Sequence, residues 1–490
     1  MSNELSVFDC FGLLASKVAP NVFDLSSGQY HVSLRDQIVR GRLLVRDLCA
    51  VNCTFESLLV VGAGAGGLAV AVEAAKRGKR VVVLEARGTP MWRQMSASRR
   101  YVGPFMYEWP WQFSRNQEYP PNDLTMWDVF KNCPRLSAVK PSTAKDFAGQ
   151  MLKWFDEQSP ECPKLHVAVD VCGALQERVR AYLRAGFRAD RSLDLSGMRW
   201  RGQVTDQFSI KPEYIVLAAG MGEENCSLPH HDGVEVEKEK ALFKGTMFWE
   251  DDALQEHAEK GGDIVVIGGG DGALQDVLRA LTKHNHPMET LEQLEICKDT
   301  TEQLESVRER LQTIDSQARL VAGWSWDPSE WRVADRLCLE VAAGLAGHAC
   351  VRKSVIECLR EVDASSRQKV TLLVKETYFD KAYLLNRFLV HLIHQVLIQA
   401  KHGGEADRRI RFDLRTGMNV QGVQKLATDK YRVHCFDAEG AVTAPFDADY
   451  VAVRFGIDRK SIPGLQMVHL KGDDQHQRTT LSRLPLPFVV

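Results

Sequence analysis

The 490-residue sequence has no C-x-x-C pair among its 12 cysteines, and the closest spacing is Cys49 to Cys53. Scattered thiols of this kind exclude a zinc ribbon and a disulfide framework, and they argue against a redox-active dithiol. Because reduced thiols are typical of the cytosol, the pattern favours a cytoplasmic protein.

Long apolar runs and an excess of charge of one sign are also missing. Residues 1–17 lack a basic stretch followed by a long apolar core, so no secretory signal is expected. The formal net charge of −2 indicates no basic surface for nucleic acid. The most apolar long window, residues 57–85, contains three motif glycines and several charges, which argues against a membrane span. We therefore expect neither nucleic acid nor membrane as a partner.

Length and composition indicate an ordinary globular chain with room for two or three domains, since 44% of the residues are hydrophobic and 26% are charged. Residues 1–50 are predicted as a helical segment, because residues 32–48 carry apolar side chains at helical spacing with arginines between them. The expected position of these arginines is a solvated helix face, with an interaction surface as the alternative. They are Arg35, Arg40, Arg42 and Arg46.

Residues 57–85 combine a strand, a glycine-rich turn, a helix and a second strand that ends on Glu85. Gly62, Gly64 and Gly67 have the G-x-G-x-x-G spacing. In this motif the first glycine permits a tight turn, the second lets the backbone approach a pyrophosphate, and the third allows the helix to pack closely. The helix N-terminus favours an anion, and Glu85 at the end of the second strand can accept hydrogen bonds from ribose hydroxyls. The pattern predicts a dinucleotide site, and glycines kept only for packing are the alternative.

Residues 261–281 repeat the strand, glycine turn and helix. The three motif positions are taken by Gly268, Gly270 and Ala273. The second strand of this unit does not follow directly, and residues 370–376 are the candidate for it. The charged sequence at 290–365 is therefore predicted to be a helical insertion.

Residues 87–135 interrupt the α/β pattern with a dense run of Trp, Tyr, Pro and Arg. The prolines and polar residues exclude a long regular element. The aromatic side chains either pack a small core of their own or form a wall against a flat ring, such as an isoalloxazine or an aromatic substrate. With one tryptophan further along, they include Trp92, Trp109, Trp111, Trp127 and Trp154.

The order of these motifs resembles the two-dinucleotide-binding-domain flavoproteins, which include thioredoxin-reductase-like enzymes and flavin-dependent monooxygenases. Besides the two glycine units, the strand-to-glycine segments at 212–222 and 448–456 match, as does Gly472-Asp473. The resemblance implies an α/β fold of two Rossmann-like dinucleotide-binding domains, the second inserted in the first, with a helical insertion. The expected segments are 1–50 (helical), 51–235 (FAD-binding domain, first part), 236–445 (NAD(P)-binding-like domain) and 446–490 (FAD-binding domain, C-terminal part).

The resemblance also implies FAD and NAD(P)H as cofactors and assigns residues to them. The FAD diphosphate and adenosine ribose would be held by Gly62, Gly64, Gly67 and Glu85. A nicotinamide cofactor would face Gly268, Gly270, Gly272 and Ala273. Asp473 would contact the ribityl or phosphate side of the flavin. Lys375 and Glu376 stand where the family discriminates between NADP and NAD, and a cation beside an acid leaves that choice open.

Some positions depart from the family's signatures. The monooxygenase motif F-x-G-x-x-x-H is half present at residues 243–249, with Trp249 at the histidine position. The glycine pair that usually follows the ribose acid is reduced to Gly88-Thr89. No metal site is expected, because His391 and His394 lack an acid at metal spacing. These histidines, like His230 and His231, are predicted to be packing or surface residues.

Three functions stay open at this point. The favoured one is an FAD-dependent, NAD(P)H-using, monooxygenase-like oxidoreductase that acts on a small molecule, with no side chain standing out as catalytic acid or base. The second is an FAD oxidase of an amino acid or amine, with Arg99 or Arg100 as a carboxylate clamp. The third is a catalytically degenerate nucleotide-binding sensor or interaction protein. The helical insertion is the expected surface for a protein partner or for self-association.

Overall fold

The fold is that of a computed structural model, which describes residues 11–25, 33–103, 106, 109–110, 140–185, 191–200, 203–204, 207–229, 243–324, 331–361, 368–403, 410–458 and 464. All structural statements below concern these residues. Asp473, His230 and His231, together with Trp111 and Trp127, lie outside the described residues.

Helices and strands alternate through residues 11–224. The helices are α1 (Phe11–Ser16), α2 (Leu34–Val51), α3 (Ala65–Lys76), α4 (Trp92–Met95), α5 (Ala144–Gln158) and α6 (Gly173–Arg184). The strands are β1 (Lys17–Ala19), β2 (Val22–Asp24), β3 (Ser57–Val61), β4 (Arg80–Leu84), β5 (Tyr101–Val102), β6 (Ser142–Thr143), β7 (Leu165–Val169), β8 (Leu193–Asp194), β9 (Arg199–Trp200), β10 (Gln203–Val204), β11 (Ser209–Ile210), β12 (Tyr214–Leu217) and β13 (Glu223–Glu224).

Helices dominate the middle of the remaining chain. They are α7 (Leu254–Glu259), α8 (Asp271–Leu281), α9 (Pro287–Leu294), α10 (Lys298–Ser306), α11 (Arg308–Trp324), α12 (Trp331–Ala346), α13 (Ala349–Cys358) and α14 (Leu384–Gly403). The strands are β14 (Ser227–Leu228), β15 (Phe243–Lys244), β16 (Ile264–Ile267), β17 (Gln368–Leu373), β18 (Ile410–Arg415), β19 (Asn419–Lys425), β20 (Tyr431–Phe436), β21 (Phe446–Ala448), β22 (Tyr450–Val453) and β23 (Ile457–Asp458).

The first unit is built on an eight-stranded sheet in the order β1-β2-β12-β3-β4-β7-β9-β10. Its five central strands, from β2 to β7, are parallel, as the βαβ pattern predicted. Side chains of β3 alternate between two cores: Leu58 and Val60 pack with α2, α3 and α5, whereas Leu59 and Val61 pack with α6. Burial on both faces explains why these strands are uniformly apolar in sequence.

The N-terminal segment differs from the prediction of helix across residues 1–50. β1 and β2 lie in this sequence, and β2 pairs in parallel with β12 at the sheet edge. Three residues per strand are too few to show a period of two, so the tertiary pairing decides their structure.

The arginines of α2 correct a second expectation. Arg40 and Arg42 are 4% and 3% exposed, so they do not lie on a solvated face. Because α2 packs against α3, Arg42 forms a buried ion pair with Glu73 at 2.8 Å. Helical spacing alone does not distinguish an arginine facing solvent from one facing a buried acid on a neighbouring helix.

The second unit is built on a four-stranded parallel sheet in the order β18-β17-β16-β22. β17 pairs directly with β16, which confirms that the strand predicted at residues 370–376 belongs beside the second glycine unit. Helices α9 to α13 occupy the chain between them, as the charged sequence predicted. One sheet face packs against α8, α12 and α14, and the other packs against the antiparallel sheet β19-β20-β21.

The expected boundary at residue 446 does not match the strand pairing. β22 pairs in parallel with β16, so residues 450–453 belong to the four-stranded sheet and not to the first unit. A strand that runs into a glycine occurs in both units, and its sequence does not show which sheet it joins. The chain returns to the first unit after β22, where β23 pairs with β13, the short strand that follows β12 along the chain.

In the part of the chain that the structure describes, no helix combines the length and apolar character needed to cross a bilayer. Within the same residues, no group of three His, Cys, Asp or Glu side chains is placed to hold a metal ion.

Candidate functional site

The first glycine turn joins β3 to α3 at the carboxyl end of the strand. Gly62 has a φ of +107°, and a Cβ on it would overlap the carbonyl oxygen of Ala218. A Cβ on Gly67 would overlap the carbonyl oxygen of Gly62. These close backbone approaches are the ones that the glycine spacing predicted.

Gly64 is the N-cap of α3 and faces open space. No heavy atom lies within 4 Å of the position that its Cβ would take. The first turn of α3 contains no acidic residue, and no side chain caps the helix. The N–H groups at this helix end therefore present a positive partial charge that no anion from the helix itself neutralises.

Glu85 follows β4 and lies at the same edge of the sheet. Its Oε2 accepts a hydrogen bond from Ala63 N at 2.9 Å, and its Oε1 accepts one from Arg87 N at 2.9 Å. The carboxylate is thereby fixed in the wall of the cavity that the glycine turn borders. Each oxygen has a second lone pair, which can accept a hydrogen bond from a ribose hydroxyl.

The second glycine turn joins β16 to α8. Gly268 has a φ of +139°, and a Cβ on it would overlap the carbonyl oxygen of Arg454. Gly270 is the N-cap of α8, and its Cβ would lie 3.7 Å from the Lys381 carbonyl oxygen. At Gly272 a Cβ would lie 3.3 Å from the ring of Phe248. This turn is therefore more crowded than the first.

An acid occupies the N-terminus of α8. The Oδ1 of Asp271 accepts hydrogen bonds from Asn386 Nδ2 at 2.5 Å and Tyr383 N at 3.2 Å, and its Oδ2 accepts one from Gln275 at 2.9 Å. Burial raises the pKa of Asp271 to about 6, although these hydrogen bonds act in the opposite direction. Burial thus disfavours the charged form of a carboxyl that lies in the wall of the cavity.

Lys375 and Glu376 lie just beyond the carboxyl end of β17. Both are exposed and line the cavity. Among the described residues, no hydrogen-bond or ion-pair partner occupies the Lys375 ammonium group. The cation is thus available to a ligand beside an equally accessible carboxylate.

A single cavity of about 1580 Å³ joins the two glycine turns. Single drug-sized ligands occupy roughly 300–1,000 Å³, so this space can hold more than one such molecule. The predicted site residues in its wall are Gly62, Gly64, Glu85, Gly268, Gly270, Gly272 and Lys375. Gly67 and Ala273 lie beneath the turns, where they pack helix against strand.

The predicted aromatic wall is present in part. Trp92 lines the cavity with 46% of its surface exposed, and Phe248 and Trp249, which lie before α7, line it as well. Trp109 and Trp154 are instead buried in the cores of the two units. Of the three described tryptophans named in the prediction, one lines the cavity and two pack in the cores of the units, not in a small core of their own.

Arg99 and Arg100 are not available as a carboxylate clamp. Arg99 pairs with Glu256, and Arg100 pairs with Asp252 and Asp276. These acids come from the second unit, so sequence separation concealed the pairing. The amino-acid oxidase interpretation loses its proposed substrate-binding residue.

Arg100 belongs to a buried ion cluster that also contains Asp252, Asp276, Arg279 and Arg454. All five side chains are at most 5% exposed. Burial alone would raise the pKa of Asp276, but the surrounding guanidinium groups hold it below its ordinary range. The Arg100 guanidinium also stacks 4.5 Å from the ring centre of Phe248. The cluster links the segment before β5 to α8 and to the end of β22, and its removal would leave uncompensated charge.

His391 is buried, as the packing interpretation predicted. Its Nε2 lies 2.8 Å from Asp335 Oδ1, and its ring stacks on Phe379 with ring centres 4.5 Å apart. Arg387 pairs with the same carboxylate at 2.5 Å. These contacts join α12 to α14 and lie outside the wall of the cavity.

The sequence did not single out Gln275 and His286, which also line the cavity. Gln275 is one helical turn after Asp271 on α8, and its spacing could have indicated the same face. His286 precedes α9 in the sequence His286-Pro287-Met288-Glu289. That pattern indicates the start of a helix, and the structure shows one, with a capping box between His286 and Glu289. Nothing in it indicates a cavity.

The first turn fits a dinucleotide. Gly64 leaves space where a pyrophosphate would approach, the N-terminus of α3 favours an anion, and Glu85 can accept ribose hydroxyls. The second turn has the same backbone form, but Asp271 places a titratable carboxyl at the helix end. The residues of the first turn therefore fit a dinucleotide, whereas the second turn shares only the backbone form.

The family model described as pyridine nucleotide-disulphide oxidoreductase matches residues 56–312, which is more than half of the chain. A search of curated protein sequences finds no match.

Solved structures to which the chain is similar include the bacillithiol disulfide reductase Bdr from Staphylococcus aureus, with 12% identity, 84% of this chain and 79% of that chain covered, and a TM-score of 0.36. Another is the cadaverine monooxygenase DfoA from Erwinia amylovora bound to FAD, with 10% identity, coverage of 86% and 83%, and a TM-score of 0.36. The thioredoxin reductase from T. acidophilum has 11% identity, coverage of 83% and 79%, and a TM-score of 0.30. At these TM-scores we draw no functional conclusion from them.

Proposed function

Since the chain belongs to the pyridine nucleotide-disulphide oxidoreductase family, we propose that it oxidises NAD(P)H through FAD and acts on a small molecule. Membership identifies a flavin-dependent oxidoreductase, and FAD and NAD(P)H are the cofactors of the family. The use of NAD(P)H by this chain, the residues that hold each cofactor and the electron acceptor are our proposals.

One observation carries the proposal: both glycine turns border the same cavity. Two dinucleotides bound at the two turns would extend into one space, which transfer between their reactive rings requires. When bound, FAD would supply the two-electron redox chemistry between NAD(P)H and an acceptor.

The chain's own residues would bind and orient the cofactors. Gly64 and the N-terminus of α3 would hold the FAD diphosphate, and Glu85 would accept hydrogen bonds from the adenosine ribose. Gly270 and Gly272 would border the nicotinamide cofactor. Trp92 and Trp249 would exclude water from the cavity they line.

The residue that selects between NADPH and NADH is proposed to be Lys375. Its ammonium group, which has no partner among the described residues, would pair with the 2′-phosphate of NADPH. Glu376, which is equally exposed, would favour the free ribose of NADH. The contributions of Lys375 and Glu376 to the binding free energy decide which nucleotide is preferred, and substituting each residue separately measures them.

We propose molecular oxygen, as in monooxygenases, and not a protein dithiol, as the electron acceptor. The sequence has no C-x-x-C pair, and the cysteine next to β14, Cys226, is buried with its thiol directed at the Gly245 carbonyl oxygen. In the balanced reaction NAD(P)H, a proton, O₂ and substrate give NAD(P)⁺, water and the oxygenated product.

All ten described cysteines are free, which also supports a cytoplasmic location.

The test is to measure NADH and NADPH oxidation by the FAD-loaded protein in air, without oxygen, and without oxygen but with a disulfide acceptor. We expect oxidation to continue in air, with hydrogen peroxide formed when no substrate is present. Without oxygen, it should stop after one equivalent per flavin. Sustained oxidation supported by the disulfide would contradict the proposed acceptor.

A further inference from the structure

His286 is a buried side chain that reaches the cavity from the loop between α8 and α9. It is 3% exposed and forms part of the cavity wall. Gly103, just after β5, packs against the imidazole so closely that a Cβ there would lie 2.5 Å from Cε1. The ring is therefore held between the two units.

Hydrogen bonding fixes which ring nitrogen carries the proton. The Nδ1 of His286 accepts a hydrogen bond from Met288 N at 3.2 Å, so this nitrogen is unprotonated. Glu289 accepts from the backbone N–H of His286 and not from its ring. A neutral imidazole with Nδ1 as acceptor carries its hydrogen on Nε2.

Nε2 is left as a donor without a partner. Among the described residues, none accepts a hydrogen bond from it. Nε2 is not among the buried side-chain atoms that lack a partner, so it is open to solvent, and water or a ligand can accept its hydrogen bond. The cavity is the available source of that partner.

The ring stays neutral over the physiological range of pH. Burial lowers the pKa of His286 to about 3, and no charged group contributes to the shift. A neutral donor does not attract a carboxylate or a phosphate by charge. It is suited to a neutral oxygen acceptor, such as that of a carbonyl or amide.

The neighbouring wall combines apolar side chains with the Gln275 amide and the Asp271 carboxyl to which that amide donates. Val102 and Met106 are 9% and 1% exposed and line the cavity near Gly103. The Gln275 amide donates to Asp271 and lies 3.8 Å from the Met106 sulfur. A ligand here would therefore present an apolar body with a neutral carbonyl group.

We propose that His286 is a binding residue whose Nε2–H donates a hydrogen bond to a neutral carbonyl or amide oxygen of a molecule bound in the cavity. This inference rests on the proposed function, because that function supplies the occupants. The oxygen could belong to the nicotinamide carboxamide, to the flavin ring or to the substrate. The chemistry is the same in each case, and separate probes distinguish the sources.

The direct test is nitrogen NMR of protein labelled with ¹⁵N-histidine, with FAD, NADP⁺ and benzamide added one at a time. We expect the His286 signal to show hydrogen on Nε2 with no titration between pH 5 and pH 8. One of the probes should shift that signal and thereby identify the source. The proposal fails if Nδ1 carries the hydrogen, or if none of the three probes shifts Nε2.

The matched variant is His286→Asn. Asparagine is a good N-cap, so it can keep the hydrogen bond to Met288 N while it removes the Nε2 donor. We expect a folded protein with a modest loss of thermal stability, because asparagine fills less of the buried space, and about threefold to tenfold weaker binding of the probe that shifts the wild-type signal. His284→Asn, in the same loop but outside the cavity wall, should bind that probe as the wild type does.

The result separates this proposal from the proposed function. If the protein binds no FAD, the proposed function fails, but the tautomer of His286 and its response to NADP⁺ and benzamide can still be read. If FAD binds and is reduced while His286→Asn leaves the affinity for every probe unchanged, only the role of His286 is wrong.

Discussion

The two glycine turns share a sequence pattern but differ in their surroundings. At the first, a Cβ on Gly64 would meet no atom within 4 Å, and the first turn of α3 carries no acid. At the second, Gly269 would place a Cβ 2.7 Å from Val374, and Asp271 lies at the helix end. The N-terminus of α3 is thus open and carries no acid, whereas the N-terminus of α8 is crowded and carries a carboxyl.

This difference teaches that the motif specifies backbone shape but not electrostatics. Gly62 and Gly268 both adopt positive φ and both approach a carbonyl oxygen of a neighbouring strand end. The charge near each helix N-terminus is set by the residue that follows the second glycine. We therefore expect tight FAD binding at the first turn and weaker, pH-sensitive binding at the second.

The largest expected effect is a loss of stability at Gly67, the glycine of the first turn that serves packing and not ligand binding. Gly67→Ala should lower the free energy of unfolding by about 3 kcal/mol or more, because its Cβ would overlap the Gly62 carbonyl oxygen. Urea unfolding followed by circular dichroism measures this. Gly149→Ala, at an open position on α5, is the control and should be neutral or stabilising. Equal stability of the two variants would contradict the close approach.

The next effect concerns binding without loss of fold. Gly64→Val should stay folded with only a small loss of melting temperature, because the side chain enters open space although valine is a poorer N-cap than glycine. It should weaken FAD binding by about 100-fold or more, since it fills the path of the pyrophosphate. Calorimetric titration of the FAD-free protein measures the affinity. Wild-type affinity in this variant would show that FAD does not use the first turn.

Cofactor selection at the second turn should change by about tenfold. Lys375→Gln should weaken NADPH binding and leave NADH binding unchanged, because only NADPH has a 2′-phosphate for the ammonium group. Glu376→Gln is the matched variant and should weaken NADH preferentially. Titration of each variant with both nucleotides gives the four dissociation constants. A parallel loss for both nucleotides in Lys375→Gln would remove this residue from the selection.

The smallest expected effect is the pH dependence due to Asp271. Its pKa is raised from 3.8 to about 6 in the folded protein, so the folded state binds more protons than the unfolded state between these values. Stability from this group therefore falls as pH rises from about 4 to 6. Asp271→Asn should gain on the order of 1 kcal/mol relative to the wild type between pH 4 and pH 7. Parallel stability profiles for the two proteins would contradict the shift.

The sequence predicted the features that depend on local pattern. The glycine spacing, the apolar strands and the late strand at residues 370–376 gave the two parallel sheets and the position of both turns. Glu85 lies where its distance from the first glycine predicted. Each of these features is encoded within a few tens of residues, where periodicity and glycine geometry are informative.

Features that depend on long-range contact were not predictable. Arg100 pairs with Asp252 and Asp276, which are more than 150 residues away, and Arg42 pairs with Glu73 on another helix. β22 joins the second sheet although its sequence would suit either unit. His286 gives only the pattern of a helix start. In each case the partner, not the residue itself, determines the role.

The most direct test of the central claim is anaerobic reduction of the FAD-loaded protein by NADH and by NADPH, followed in the visible spectrum. The wild type should lose its flavin absorbance with at least one of the two nucleotides. Gly270→Val should keep its FAD but lose this reduction, because the new side chain enters the second turn. If the wild-type flavin ignores both nucleotides, or if Gly270→Val is reduced at the wild-type rate, the two turns do not work together as a single site.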